Sequence, residues 1–177
     1  MLVSRCLTGA ACRYDGASRP AHALSLLPDD WTLLDLCPEA DLGMGTPRPP
    51  IGLLAAKGRL LLKERNGARD WTWEMGSWCG LMARVLVRDG AAGAVLKAHS
   101  PSCGHGDVEV FASSATMAWP SAPEAALRQD ADGLWTRALL DLDPLFPLIS
   151  EESLEDECRR LAFISAVESR SACRVAP

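Results

Sequence analysis

The chain has 177 residues, a net charge of −5 and seven cysteines within an apolar share of 48%. That is enough for one domain with its own core. The acidic balance, without a basic cluster, argues against an extended nucleic-acid groove, and no apolar stretch reaches the length of a membrane span. Met1 leads straight into an apolar run with no signal-peptide pattern, so a cytoplasmic protein is expected, in a compartment where stable disulfides are rare. An odd cysteine count without any Cys-x-x-Cys pair fits neither a closed disulfide framework nor a zinc ribbon.

In chain order, Met1-Leu2-Val3 reads as a first strand, with residues 4–9 as its exit turn. Cys12-Arg13-Tyr14-Asp15-Gly16 is a second turn punctuated by Asp-Gly. A helix is expected over about 21–27, broken by Pro28, and a second strand over 31–36. That strand stops at Cys37-Pro38-Glu39, because proline ends strand pairing. Residues 40–52 form a Gly/Pro-rich loop in which Pro47 and Pro49 flank Arg48 and hold it extended. The plain reading of this loop is a rigid surface segment with a solvated arginine.

Residues 53–64 suggest a small hairpin around Lys57-Gly58. Asp70 or Thr72 caps a helix running to about 89, stopped by Gly90. Trp71, Met75, Trp78, Met82 and Val85 recur on one face of it, and Cys79 is read as a packing residue. The apolar run 93–96 is a buried strand, and Ser100-Pro101-Ser102-Cys103-Gly104-His105-Gly106 is the turn leaving its end. A strand follows over 108–111, an irregular stretch over 112–123, a helix over 134–142 and a last strand over 146–149. Ser150 caps a C-terminal helix on which Cys158 packs beside Leu154 and Leu161, and Cys173 lies in a frayed tail. The chain is divided as a domain over 1–155 with a helix and tail over 156–177 packed on it.

Strands alternating with helices imply an α/β fold, a single Rossmann-like three-layer domain with a mainly parallel sheet. Ligands of such sheets bind beyond the carboxyl ends of the strands. Cys6, Cys37 and Cys103 each follow a strand, so the topology gathers them at one edge. Three thiolates without a histidine among them suit a soft metal, above all an iron–sulfur cluster, in which three ligands leave one iron open.

Cys6-Leu7-x-Gly9, Arg13-Tyr14-Asp15-Gly16, Cys37-Pro38-Glu39, Thr46-Pro47-Arg48-Pro49 and Ser100-Pro101-Ser102-Cys103-Gly104, in that order, resemble the thiouracil desulfidase (TudS-like) family. The resemblance covers about residues 1–110, more weakly to about 155. It implies a [4Fe–4S] cluster held by Cys6, Cys37 and Cys103, with Cys12 outside the ligand set. It implies Glu39 as the catalytic carboxylate and Ser100 as the catalytic serine, with Arg13, Arg48 and Ser102 facing the substrate. The implied reaction is non-redox removal of sulfur from a small thiolated pyrimidine. The alternatives are a thiolated nucleotide in tRNA and a non-catalytic iron–sulfur protein. From the residues alone, Ser100 reads equally as a turn cap and Glu39 also as a solvated loop carboxylate. His105, where the family usually has a small residue, is read as facing solvent or titrating beside the substrate.

Overall fold

The computed structural model describes residues 1–112 and 126–175, with side chains through Cys173. Its strands are β1 (Leu2–Ser4), β2 (Leu34–Leu36), β3 (Ile51–Ala56), β4 (Arg59–Glu64), β5 (Ala94–Leu96), β6 (Val108–Ala112), β7 (Arg128–Ala131) and β8 (Leu148–Ser150). Its α-helices are α1 (Pro38–Asp41), α2 (Thr72–Arg88), α3 (Leu134–Leu142) and α4 (Glu157–Val175). The first sheet, in the order β2-β1-β5-β8, is parallel throughout. The second, β4-β3-β6-β7, is mixed, with one parallel pair between two antiparallel ones.

The alternation of side chains along a strand divides the core. Leu2, Ala94 and Leu96 face a cluster with Met75, Cys79 and Ala83 of α2, Trp135 and Leu139 of α3, and the inner face of the second sheet. Val3, Val95 and Ile149 face the opposite way, against Leu7, Ala23, Leu27 and, from α4, Phe163 and Val167. The parallel sheet is therefore covered on both faces, as the buried apolar runs of its central strands β1 and β5 require.

Local chemistry sets the elements that shape the site. The β3–β4 hairpin turns on Lys57 (φ 49°) and Gly58 (φ 73°), the paired positive φ values whose twist matches the flanking strands. The Asp70 carboxylate accepts from the Thr72 N–H at the start of α2, and Gly90 at φ 103° ends it. The buried stripe of α2 is Trp71, Met75, Cys79 and Ala83, so Cys79 is a core residue while Trp78 and Met82 flank the stripe. α3 docks end-on against the Ser100–Gly106 turn. The Leu134 and Trp135 N–H groups, orphaned at a helix start, donate to the Pro101 and Ser102 carbonyls at 3.2 and 2.8 Å.

Several expectations shift. Residues 22–26 form a 3₁₀ helix instead of an α-helix, and β2 is only the last three residues of the expected strand. Pro38 does end pairing, but it also starts α1, since its missing N–H is not needed at the first helical position. The polar strand β7 was not foreseen, and the irregular stretch expected up to 123 falls largely outside the described residues. Ser150 does not start the last helix directly. Its hydroxyl accepts from Ser153 N–H, a 3₁₀ turn intervenes, and Asp156 caps α4 through Arg159 N–H. Cys158 is exposed rather than packed, and Cys173 lies within α4 rather than in a frayed tail.

Gly133 shows how tightly α3 holds the turn. A Cβ there would meet the Ser102 carbonyl carbon at 2.5 Å and the Cys103 nitrogen at 2.8 Å, which are backbone atoms that cannot swing aside. Gly133→Ala is expected to cost about 1–3 kcal/mol, read as a lower thermal midpoint. An unchanged midpoint would mean that the turn is not braced by α3.

Candidate functional site

The carboxyl ends of the four parallel strands open on one cavity of about 530 Å³. β1 delivers Cys6, β2 delivers Cys37 at the N-cap of α1, and the turn beyond β5 delivers Cys103. All three line the cavity, together with Cys12, Glu39, Arg13, Arg48 and Ser100. Ser102 and His105 are not among the lining residues. Ser102 has no exposed surface, and His105 instead meets Asp132 at 2.9 Å.

Glu39 is the best-fixed group on the wall. Its Oε1 accepts from the Ser102 hydroxyl and its Oε2 from Arg48 Nε, each at 2.8 Å. Arg48 is buried, with a side chain only 3% exposed, which overturns its reading as a solvated loop arginine. Its remaining donors reach the Gly45 carbonyl at 2.8 Å, the Thr46 hydroxyl at 3.3 Å and the Cys12 carbonyl at 2.9 Å. Arg5 adds a second brace, reaching both Asp41 carboxylate oxygens, while Asp41 also accepts from the Cys37 N–H.

Ser100 does cap its turn. Its Oγ accepts from the Ser102 and Cys103 N–H groups at 3.3 and 3.2 Å, while its own hydrogen has no acceptor among the described residues. The Thr136 hydroxyl fixes the Cys103 carbonyl from α3 at 2.7 Å. Ser4, at the end of β1, accepts from the Lys97 N–H, and its hydroxyl also meets the Cys103 thiol.

The four cavity thiols are free and held neutral by their surroundings. Burial pushes Cys6 up to about 11, and the neighbouring Cys37 adds to the rise. Burial also lifts Cys37 to about 11, with the Ala40 N–H at the start of α1 pulling it back. Burial raises Cys103 well above the ordinary thiol range, and raises Cys12 as well, where contact with Cys37 works the other way. Among the described residues no three His, Cys, Asp or Glu side chains are gathered for a single metal ion. Neutral thiols from three strand ends around an open cavity fit a larger thiolate-bound group, whose bonding would replace the lost protons.

Fold and cavity together define an α/β protein with a thiol-lined site at the carboxyl edge of a parallel sheet. Comparison with known proteins makes this definite. The model of the 2-thiouracil desulfurase family matches residues 1–152, and the chain belongs to that family. It is an enzyme of the thiouracil desulfidase type, acting on a carbon–sulfur bond. The uncharacterised protein YbbK of Bacillus subtilis (strain 168) is 32% identical over 118 residues, which are 60% of this chain and 74% of YbbK. A solved structure of the [4Fe-4S]-dependent thiouracil desulfidase TudS superposes with a TM-score of 0.67 at 26% identity, covering 92% of this chain and 97% of that one. No described helix is long and apolar enough to cross a membrane.

Removing Arg48 strands the buried Glu39 carboxylate. Arg48→Met is expected to cost about 3–5 kcal/mol, against less than about 1 kcal/mol for the exposed Arg88→Met. Equal midpoints in thermal unfolding would contradict the bracing role.

The raised thiols set a pH dependence for the iron-free protein. Unfolded thiols lose their protons near about pH 8.5, whereas Cys6 and Cys37 keep theirs to about 11. The folded state therefore binds more protons between these values, and its stability falls as pH rises through that window. At pH 8, iodoacetamide is expected to modify the exposed Cys158 and Cys173 first and the cavity thiols slowly. Mass spectrometry of the labelled peptides checks the order.

Proposed function

We propose that this chain removes sulfur from a thiolated pyrimidine by hydrolysis without net redox change, using a [4Fe–4S] cluster held by Cys6, Cys37 and Cys103. The observation that carries the reading is the convergence of these three thiols, two buried and one half-buried, on one cavity whose wall holds the doubly hydrogen-bonded Glu39. Three thiolates leave one iron without a protein ligand, and when bound the cluster supplies a Lewis acid for the thiocarbonyl sulfur.

The chain's own groups do the rest. Each Glu39 oxygen spends one lone pair on its clamp and keeps another for a water in the cavity. That water's oxygen bonds to the carbon bearing sulfur while its proton passes to Glu39. The proton then passes from Glu39 to sulfur, the carbon–sulfur bond breaks to release hydrosulfide, and the proton left on the new hydroxyl follows it through Glu39 as the carbonyl forms. Water and thiocarbonyl become carbonyl and hydrogen sulfide, with no electrons added or removed. Ser100, its hydroxyl oxygen held by two N–H groups, has its hydrogen free to orient the substrate or relay the proton. Arg13 lines the cavity and is read as a substrate contact. Arg48 and Ser102, both committed to Glu39, are read as groups that position it.

A second reading rests on the rim. Arg13 and Arg19 sit beside the cavity of an otherwise acidic chain, which favours a phosphate-bearing form of the pyrimidine, free or within tRNA.

The test is anaerobic reconstitution with iron and sulfide, then sulfide release from 2-thiouracil, a thiolated nucleotide and thiolated tRNA. Changing Cys6, Cys37 or Cys103 singly to Ala is expected to abolish iron retention and turnover, whereas Cys158→Ala leaves both intact. Glu39→Gln is expected to load iron normally and lose about two to four orders of magnitude in turnover per cluster. Full iron content in Cys103→Ala, or near-normal turnover in Glu39→Gln, would overturn the corresponding assignment.

A further inference from the structure

A second ion pair, largely buried, meets the cavity through its lysine and is left unused by the scheme above. Lys97 follows β5 and lines the cavity, and Glu151 follows β8, the neighbouring parallel strand. Their side chains are 15% and 12% exposed. The Lys97 Nζ donates to Glu151 Oε1 and, at 3.1 Å, to the Ala98 carbonyl. Glu151 Oε2 accepts from the Ala98 N–H at 2.7 Å, so both carboxylate oxygens are committed. The Lys97 N–H itself donates to Ser4 Oγ at 3.0 Å, which ties the residue to the end of β1 as well. Three strand ends thus fix one lysine.

An ammonium has three N–H donors, and two are spent within the protein. The third has no acceptor among the described residues. A pair needed only to join β5 to β8 gains nothing from facing a cavity, and a desolvated pair is weak support for stability. A full positive charge with one donor to spare, lining the same cavity as Ser100 and the cysteines, is a ready partner for a ligand oxygen.

We propose that Lys97 contacts the substrate, donating its third N–H to the pyrimidine oxygen that gains negative charge when water attacks the carbon bearing sulfur. This rests on the desulfidase reading and adds to it a residue that discriminates the attacked state from the resting substrate. A thiolated uracil keeps one carbonyl oxygen conjugated through a ring nitrogen to the thiocarbonyl carbon. Attack sends the electron pair to sulfur, and the attacked carbon then stops drawing on the ring-nitrogen lone pair it shared with that carbonyl. The oxygen thus becomes more negative, and a fixed cation beside it acts on turnover as well as on binding. Glu151 and the Ala98 carbonyl are positioning groups that keep the ammonium from folding back into solvent.

The experiment compares Lys97→Met, Lys97→Gln and Glu151→Gln with the wild-type protein after anaerobic reconstitution. Iron content and thermal midpoint are measured on each sample, with kcat and KM for sulfide release from 2-thiouracil per intact cluster. Calorimetry gives the Kd of uracil on the cluster-loaded proteins. Both Lys97 variants are expected to load iron and to lose about 10–10²-fold in kcat/KM, the worth of one hydrogen bond from a charged donor. Uracil binding is expected to weaken about tenfold or more in both. Glu151→Gln keeps the ammonium, so its midpoint falls comparably while its kcat/KM falls far less.

Lys97 variants within about threefold of wild type per cluster would overturn the proposal. So would losses that Glu151→Gln matches at the same midpoint, or failure of both Lys97 variants to retain iron, since either outcome makes the lysine structural. A wild-type protein that carries iron yet releases no sulfide removes the desulfidase reading and this contact with it. Normal wild-type turnover alongside fully active Lys97 variants removes the contact alone.

Discussion

One carboxylate holds the site together. Glu39 joins the turn after β5, through Ser102, to the Pro-flanked loop, through Arg48, and Arg48 passes the connection on to the Cys12 carbonyl. Segments 63 and 36 residues apart in sequence are thereby locked to one another. The clamp works because every partner is satisfied. The guanidinium spends four of its five N–H donors on Glu39, Gly45, Thr46 and Cys12, and a buried ionic group hydrogen-bonded to this extent avoids the penalty of an isolated charge. Without Glu39, Arg48 would be a desolvated cation, and the Ser102 hydroxyl an unpaired donor in a fully buried position.

The thiols depend on that frame without forming it. Apart from a long contact between Cys37 and the Cys12 carbonyl and the Ser4–Cys103 contact, the hydrogen bonds that set the cysteine-bearing segments come from backbone, carboxylates, hydroxyls and arginines. The proposed ligands are therefore presented by a structure that stands while they are protonated. Their raised pKa values express the same fact, because burial that suits a neutral thiol resists a bare thiolate. Metal loading has to displace those protons, and a preformed frame reduces the ordering entropy paid at that moment.

The fold and the gathering of three cysteines at one cavity were legible because they rest on strong local signals. Apolar runs mark β1, β5 and β8, and in a parallel sheet the residues after such runs share an edge, which places Cys6, Cys37 and Cys103 without any tertiary knowledge. α3 was legible to the residue, from its apolar periodicity. β7 was not, because its first three residues, Arg128-Gln129-Asp130, are exposed at a sheet edge and carry no alternation. Cys158 was misplaced for a related reason. α4 buries Phe163 and Val167, and at about 100° per residue Cys158 lies on the far side of the helix from both. Arg48 and Ser102 were singled out as substrate contacts, yet their partners lie far off in sequence, and nothing local reveals a side chain spent on another loop. Lys97 and Glu151 gave no motif at all; only the adjacency of β5 and β8 brings them together.

Two internally paired ions meet the cavity, Arg48–Glu39 with both members lining it and Lys97–Glu151 through Lys97. Replacing such pairs by apolar residues of the same volume often makes a protein more stable, so stability alone is a poor account of them. What the pairs provide is orientation. In Arg48–Glu39 four of the five guanidinium N–H donors are spent on protein groups, while each carboxylate oxygen, holding one donor, keeps a lone pair. In Lys97–Glu151 the roles reverse, because Lys97 lines the cavity while Glu151 is not a lining residue, and the ammonium keeps a donor. The first pair thus offers the cavity a fixed acceptor and the second a fixed donor, with little net charge added to the interior. Dipoles set in advance around a water-poor cavity cost no reorganisation when charge moves in a bound ligand, and hydrolytic chemistry on a neutral ring makes that demand of its surroundings.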